Sequence, residues 1–188
     1  MTTQLATAPP PAACAPTAAT APTAPSRLTK EALAELYQRL ERRVFNVVYR
    51  WLWNKEDAFD VVQEAFVKLW AMRDRVQMET VEALAYRIAV NLAANRRRQR
   101  QVWRLVTLEG LRTEPKQIDD TQRRVRAAVD ALPEQLRRVV LLGEFSGMTA
   151  KEIGAVLEIP EGTVASRRHH ALAMLRAQLG DVMEALDD

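Results

Sequence analysis

The chain has 188 residues, 27% of them charged and 48% apolar, with a formal net charge of +3, which suits one ordinary domain or two small ones. It has no apolar run of about eighteen residues to cross a membrane, no basic stretch followed by an apolar core to mark a secretory signal, and a lone Cys14 that excludes a disulfide framework or thiolate metal cluster. Six glycines and only two histidines, His169 and His170, leave little for loop-borne catalysis. The expectation is a cytoplasmic, non-catalytic, mainly helical protein without cofactor or metal.

Residues 1–26 hold six of the nine prolines, 21 residues that are Ala, Pro or Thr, and no charge. Lacking branched and aromatic side chains, this tail is expected to be disordered. From Thr29 an apolar period near 3.6 begins: Leu33, Leu36, Tyr37, Leu40, Val44, Val47, Val48 and Trp51 form one helical stripe. Asn54–Asp57 breaks it. A second helix carries Val61, Val62, Ala65, Phe66, Leu69 and Trp70. A third runs from about Val81, with Leu84, Ile88 and Leu92 on one side, into Arg96, Arg97, Arg98, Arg100 and Arg104. That run contains no acid, and the rest of the chain sums to −2. It reads as one positive stripe of the kind that neutralises phosphate, or as a solvated helix face. Residues 105–122, with Gly110, Pro115, Asp119 and Asp120, lack clear periodicity and read as a linker. Helical spacing resumes with Val125, Ala128, Val129 and Leu132. The fold class is all-α: two small helical domains joined by a linker, at 27–104 and 123–188.

The most specific local pattern lies between residues 133 and 178. Pro133 suits a helix start, and Leu136, Val139, Val140 and Leu142 follow on one helix, whose end is loosened by Gly143 to Gly147. Thr149-Ala-Lys-Glu152 fits a capping box opening a short helix with Ile153, Val156 and Leu157. Glu158-Ile-Pro160 forces a turn, since the residue before proline is pushed from helical angles. A last helix then runs from Glu161-Gly-Thr163 through Gln178. This is the helix-turn-helix pattern. On the last helix Val164, Ala171, Leu172 and Leu175 share a face; Ser166, His169 and His170 point away, with Thr163 and Arg167 on the flank. Hydroxyls and planar donors near a helix N-terminus suit base edges and phosphates in a major groove, although a helical hairpin with a polar face has the same spacing. Adjacent helix positions diverge, so His169 and His170 do not make a metal pair.

Three segments resemble parts of bacterial RNA polymerase sigma factors, in the order and spacing of the small ECF (extracytoplasmic function) group. Glu56-Asp-Ala-Phe-Asp-Val-Val-Gln-Glu-Ala-Phe-Val-Lys-Leu-Trp70 resembles the segment that binds core polymerase. Tyr86-Arg-Ile-Ala-Val-Asn-Leu-Ala93 with the arginines after it resembles the segment that meets the minus-ten element. Leu132–Leu142 and Gly162-Thr-Val-Ala-Ser-Arg167 resemble the domain that binds the minus-thirty-five element. The resemblance implies that Asp60, Gln63 and Glu64 dock on the clamp coiled coil of the largest polymerase subunit, with Phe66, Leu69 and Trp70 as core. It implies minus-ten contacts from Arg75 and Gln77 in the 73–80 loop and from Asn91, Asn95, Arg96, Arg97, Arg98 and Arg100. Contacts to minus-thirty-five DNA are implied for Thr163, Ser166, Arg167, His169 and His170. Leu84 stands where many relatives carry Trp, Ala165 where a longer polar side chain is common, and Arg168 on the inward face where an aliphatic residue is usual. The implied partners are core RNA polymerase, promoter DNA and an anti-sigma factor. Localisation would be cytoplasmic, or at the inner membrane through that factor without direct membrane insertion. The rival reading is a stand-alone helix-turn-helix regulator, which leaves Asp60–Trp70 without a task.

Overall fold

The computed structural model describes residues 27–107 and 119–184. Its helices are α1 (Lys30–Leu52), α2 (Lys55–Ala71), α3 (Val81–Thr107), α4 (Asp120–Ala131), α5 (Glu134–Ser146), α6 (Ala150–Leu157) and α7 (Glu161–Glu184), and no strand occurs among the described residues. The Ala/Pro/Thr tail and residues 108–118 of the expected linker lie outside the described residues. α3 continues to Thr107 and α4 begins at Asp120, so helix enters both ends of the segment read as linker.

α1 starts where Thr29 Oγ1 accepts the amide of Ala32 at 3.2 Å, satisfying one orphan donor of the first turn. Leu36, Leu40, Val44, Val47, Val48 and Trp51 are buried along it, as the period requires, while Leu33 and Tyr37 are partly buried. Burying each of these aliphatic side chains contributes about 2 kcal/mol. α1 ends at Trp53, held in the left-handed region at φ 51°. That conformation costs a non-glycine residue about 1–2 kcal/mol. Ring contacts offset it: Tyr49 lies edge-on at 5.9 Å, and Arg50 and Arg126 sit over the indole at 5.3 and 5.5 Å. The next residue, Asn54, caps α2 by accepting the amide of Asp57 at 2.9 Å, so the chain reverses in two residues.

α3 buries a different face from the one its leucines suggest. Val81, Ala85, Tyr86, Ala89, Val90, Ala93 and Ala94 are buried, and Leu84, Ile88 and Leu92 are only partly so. Small side chains let α1 and α2 approach closely on one side, and the longer ones fill the margin. Trp70, expected in the core, is partly exposed, with the Arg73 guanidinium over its ring at 4.8 Å. Leu28 is buried ahead of α1, its amide reaching the carbonyl of Arg73 at 3.4 Å.

In the second unit, the Pro133 carbonyl accepts the amides of Leu136 and Arg137, both at 3.0 Å, to start α5. α5 passes through Gly143 without a break and stops at Gly147, whose φ of 68° suits glycine. Arg137 is buried. Its guanidinium donates to the carbonyls of Val129, Asp130 and Leu132 at 3.0, 2.6 and 2.6 Å and lies 5.2 Å from the Trp51 ring centre. Burial, with Arg97 nearby, lowers its pKa to about 10. It remains charged at neutral pH and joins the end of α4, the start of α5 and the α1 core.

The two units pack together, α5 against α1 and α6 against α3. Val139, Leu142 and Val156 belong to the same buried cluster as Val44 and Tyr86. Around this apolar seam, Arg43 donates to the Ser146 carbonyl at 2.8 Å, and Arg87 to those of Val156 and Ala155 at 2.9 and 2.7 Å. Guanidinium groups of the first unit thus satisfy carbonyls at the C-terminal ends of α5 and α6, where a cation also meets the negative end of the helix dipole.

Candidate nucleic-acid interface

The helix-turn-helix is built as its sequence suggests. Thr149 and Glu152 form the full capping box: the Glu152 amide donates to Thr149 Oγ1 at 3.3 Å, and the Thr149 amide donates to Glu152 Oε2 at 2.7 Å. α6 ends on Glu158 in the left-handed region at φ 56°, and the Ile159 amide returns to the Gly154 carbonyl at 3.1 Å. A Cβ on Gly154 would lie 2.8 Å from the Ile159 carbonyl oxygen, so the turn's closeness requires glycine there. The Pro160 carbonyl then accepts the amides of Thr163 and Val164 at 2.9 and 3.1 Å, starting α7.

On α7, Val164 and Ala171 are fully buried, which fixes the helix rotation. Ser166, His169 and His170 are exposed, while Thr163 and Arg167 are half-buried at the edge. The outward set therefore lies within the first three turns of one helix. Ser166 Oγ donates back to the Thr163 carbonyl at 3.1 Å, which leaves its lone pairs outward as acceptors. Arg168 does not stay inside: it reaches the surface and pairs with Glu144 at 2.7 Å, as a long side chain with an apolar stem does.

The residues expected at minus-ten DNA divide between the turn before α3 and α3 itself. Arg75 and Gln77 are exposed in that turn, where the Gln77 carbonyl accepts the Thr80 amide at 3.1 Å. Asn91 and Asn95 are exposed on α3, but Asn91 Oδ1 accepts from Arg138 of α5 at 2.9 Å. Arg96 lies 3.5 Å from the Asp57 carboxylate, which also pairs with Arg100. Arg97 pairs with Asp130, and Arg98 reaches Glu134 at 3.3 Å. The positive stripe is thus met by carboxylates from α2, α4 and α5. Sequence reasoning singled out none of these three acids, and no local spacing marks them, because Asp130 and Glu134 lie in the other unit.

Asp60 and Gln63 are exposed on α2, and Glu64 is half-buried and paired with Lys68 at 2.9 Å. Phe59 and Val67, at 48% and 67% exposure, lie one turn to either side of Gln63. The signal for them was present: apolar residues recur at the helical interval on the side that carries Asp60 and Gln63. Phe59 is steadied by Phe45, with ring centroids 4.5 Å apart.

The predicted sets therefore stand on α2, on α3 with its preceding turn, and on α7. This sequence matches the Sigma-70 region 2 family over residues 36–102 and the Sigma-70, region 4 family over residues 122–175. The ECF RNA polymerase sigma factor SigE of Mycolicibacterium smegmatis is 34% identical over an alignment of 155 residues that covers 77% of this chain, and this chain spans 60% of that relative's length. The ECF RNA polymerase sigma factor SigW of Bacillus subtilis is 26% identical over 171 residues, covering 81% of this chain and 91% of SigW. Among solved structures, CnrH in complex with the cytosolic domain of CnrY superposes with a TM-score of 0.64 at 25% identity, over 81% of this chain and 90% of CnrH.

Proposed function

Because the chain belongs to the ECF group of the sigma-70 family, we propose that it binds core RNA polymerase and directs it to promoters. The observation that carries this reading is the presence in one chain of both units: an α2–α3 unit with an exposed acidic and apolar face, and a helix-turn-helix with polar residues outward on α7.

In this reading Asp60, Gln63 and Glu64 dock on the polymerase clamp. Thr163, Ser166, Arg167, His169 and His170 enter the major groove of the minus-thirty-five element, where hydroxyl and imidazole groups meet base edges and the α7 N-terminus meets phosphate. Arg75 and Gln77, with Asn91 and Asn95, border the melted minus-ten bases, and Arg96, Arg97, Arg98 and Arg100 hold backbone phosphate. Residues 27–104 and 123–188 serve as the two binding domains. The work is recognition and strand separation, with no catalytic step of its own. An anti-sigma factor restrains it in the cytoplasm or at the inner membrane. No helix among the described residues is long and apolar enough to cross a membrane.

Gel filtration with core RNA polymerase at moderate salt tests the reading. A stoichiometric complex is expected, and Asp60→Ala with Gln63→Ala should abolish it while leaving the circular dichroism spectrum intact. A folded parent that never co-elutes would overturn the polymerase role in favour of a stand-alone DNA-binding regulator.

A further inference from the structure

The C-terminal part of α3 carries a second kind of surface beside its arginines. Asn95, Gln99 and Trp103 follow one another a helical turn apart, and Val102 stands next to them. All four are exposed, Val102 at 60% and Trp103 at 66%. Helical geometry flanks this row with Arg98 on one side and with Arg96 and Arg100 on the other. From Asn95 to Trp103 the helix rises about 12 Å, a length of about three nucleotides at the stacked spacing of about 3.4 Å.

Trp103 differs from the other indoles of the chain. Trp51 is buried. Trp53 and Trp70 are partly buried, and each has a guanidinium over its ring. Trp103 presents most of its surface to solvent from within a regular helix. Its neighbours Arg96 and Arg100 both pair with Asp57 of α2, so one carboxylate serves two guanidinium groups and a positive excess remains beside the indole. The match to the Sigma-70 region 2 family ends at residue 102, one residue short of Trp103.

We propose that Gln99 and Trp103 extend the nucleic-acid face of α3, with Trp103 as a platform on which an unpaired promoter base stacks. An indole offers its face to any base, and cations beside it meet the adjoining phosphates. The Gln99 amide, one turn back, both donates and accepts and so suits a base edge. The inference rests on the proposed role of α3 in DNA binding and adds to it the group that holds a base rather than the backbone.

The test uses the full chain and a single-stranded oligothymidylate of about 15 nucleotides, near the upper end of a single-strand site. DNA should quench tryptophan emission in the parent, and Trp103→Phe should remove most of that quenching while keeping most of the affinity. Trp103→Ala and Trp103→Leu should each weaken binding by about tenfold, the scale of one stacked base. The salt slope should not change, because no phosphate contact is lost. Arg98→Ala with Arg100→Ala should instead lower the slope, with Arg96 left to pair with Asp57. Thermal melts check that each variant folds, and W103F and W103L keep the comparison readable if W103A does not. A parent without quenching, or folded W103A and W103L that bind as tightly as the parent, overturns the platform. So does W103L binding as tightly as W103F, which marks a general apolar contact. If the arginine pair still lowers the slope in these cases, the DNA role of α3 survives and only the stacking fails. If neither kind of substitution affects binding, the DNA role of α3 fails and the platform with it. W103A that loses core polymerase on gel filtration but holds DNA like the parent makes Trp103 a protein contact and also overturns the proposal.

Discussion

Arg97 of α3 and Asp130 of α4 form an ion pair in which the guanidinium also reaches the Asp130 carbonyl. The same carboxylate oxygen accepts the indole N–H of Trp53 at 3.2 Å. One acid near the end of α4 thus meets the α1–α2 corner and the positive stripe together. With side-chain exposures of 18% for Arg97 and 32% for Asp130, the pair is shielded enough to matter, and not so buried that desolvation cancels it.

Asp130→Ala is therefore expected to cost more than an exposed ion pair would. It leaves the Trp53 N–H and Arg97 without their shared acceptor, a loss of about 2 kcal/mol. Urea denaturation followed by tryptophan fluorescence measures it. Asp130→Asn keeps an oxygen acceptor and is expected to lose about half as much.

Arg137 should be less replaceable. Arg137→Met keeps much of the apolar stem and removes the donor for three carbonyls and the cation facing Trp51. The expected loss is about 3 kcal/mol, from buried acceptors left unpaired. Thermal melting should show it, and Arg137→Lys should rescue only part of it, because an ammonium lacks the planar fork.

Local structure was more legible in the sequence than side-chain pairing. The α1 stripe announces itself because branched apolar residues alternate with charged ones at helical spacing. Thr149 and Glu152 announce the start of α6 because a capping box needs only four residues. On α3 the contrast fails. Ala85, Ala89 and Ala93 make the buried row, and alanine sits inside or outside a protein with little preference, so Leu84, Ile88 and Leu92 drew the face to the wrong side. The site shows the same limit. Arg97 could be read as a phosphate-binding cation from its neighbours, but Asp130 lies 33 residues away. Only the packing of one unit on the other brings them together.

At the helix-turn-helix, Gly154→Ala is expected to be disproportionately harmful. The added methyl would meet the Ile159 carbonyl at 2.8 Å. That atom is backbone and cannot rotate aside, so the turn must open and α7 must shift relative to α6. The expected cost is about 1–3 kcal/mol. Binding to duplex promoter DNA should fall further than stability does, since α7 is displaced. Gly162, with open space around its Cβ position, serves as the control: Gly162→Ala should leave melting within about 0.5 kcal/mol of the parent.

Glu134, held by Arg138 on its own helix and Arg98 across the seam, gives the start of α5 an acid dependence. Burial pushes its carboxyl up, but Arg138 and Arg98 more than reverse this and hold it below the ordinary value of 4.5. A carboxylate held low in the folded protein adds stability that is complete above its ordinary value and is lost as pH falls through the folded one. Urea midpoints should therefore drop more steeply below pH 4.5 in the parent than in Glu134→Gln. Above that pH, the variant should be the less stable of the two. Parallel curves would mean that Arg98 and Arg138 do not act on this carboxylate.

Val67 and Phe59 separate binding from folding on the α2 face. Phe59 packs on Phe45 at 4.5 Å, so Phe59→Ser removes a ring contact as well as exposed apolar surface, and both stability and polymerase affinity should fall. Val67 is 67% exposed, and Val67→Ser should shift stability by no more than about 0.5 kcal/mol. If the outward face of α2 docks on polymerase, Val67 becomes buried only in the complex, beside Gln63 and Glu64. Its truncation should then weaken core binding by about tenfold, the scale of one well-packed interface side chain. Competition against labelled parent for core polymerase measures this. A Val67→Ser protein that competes as well as the parent would place the docking contact nearer Phe59 and Asp60, toward the start of α2.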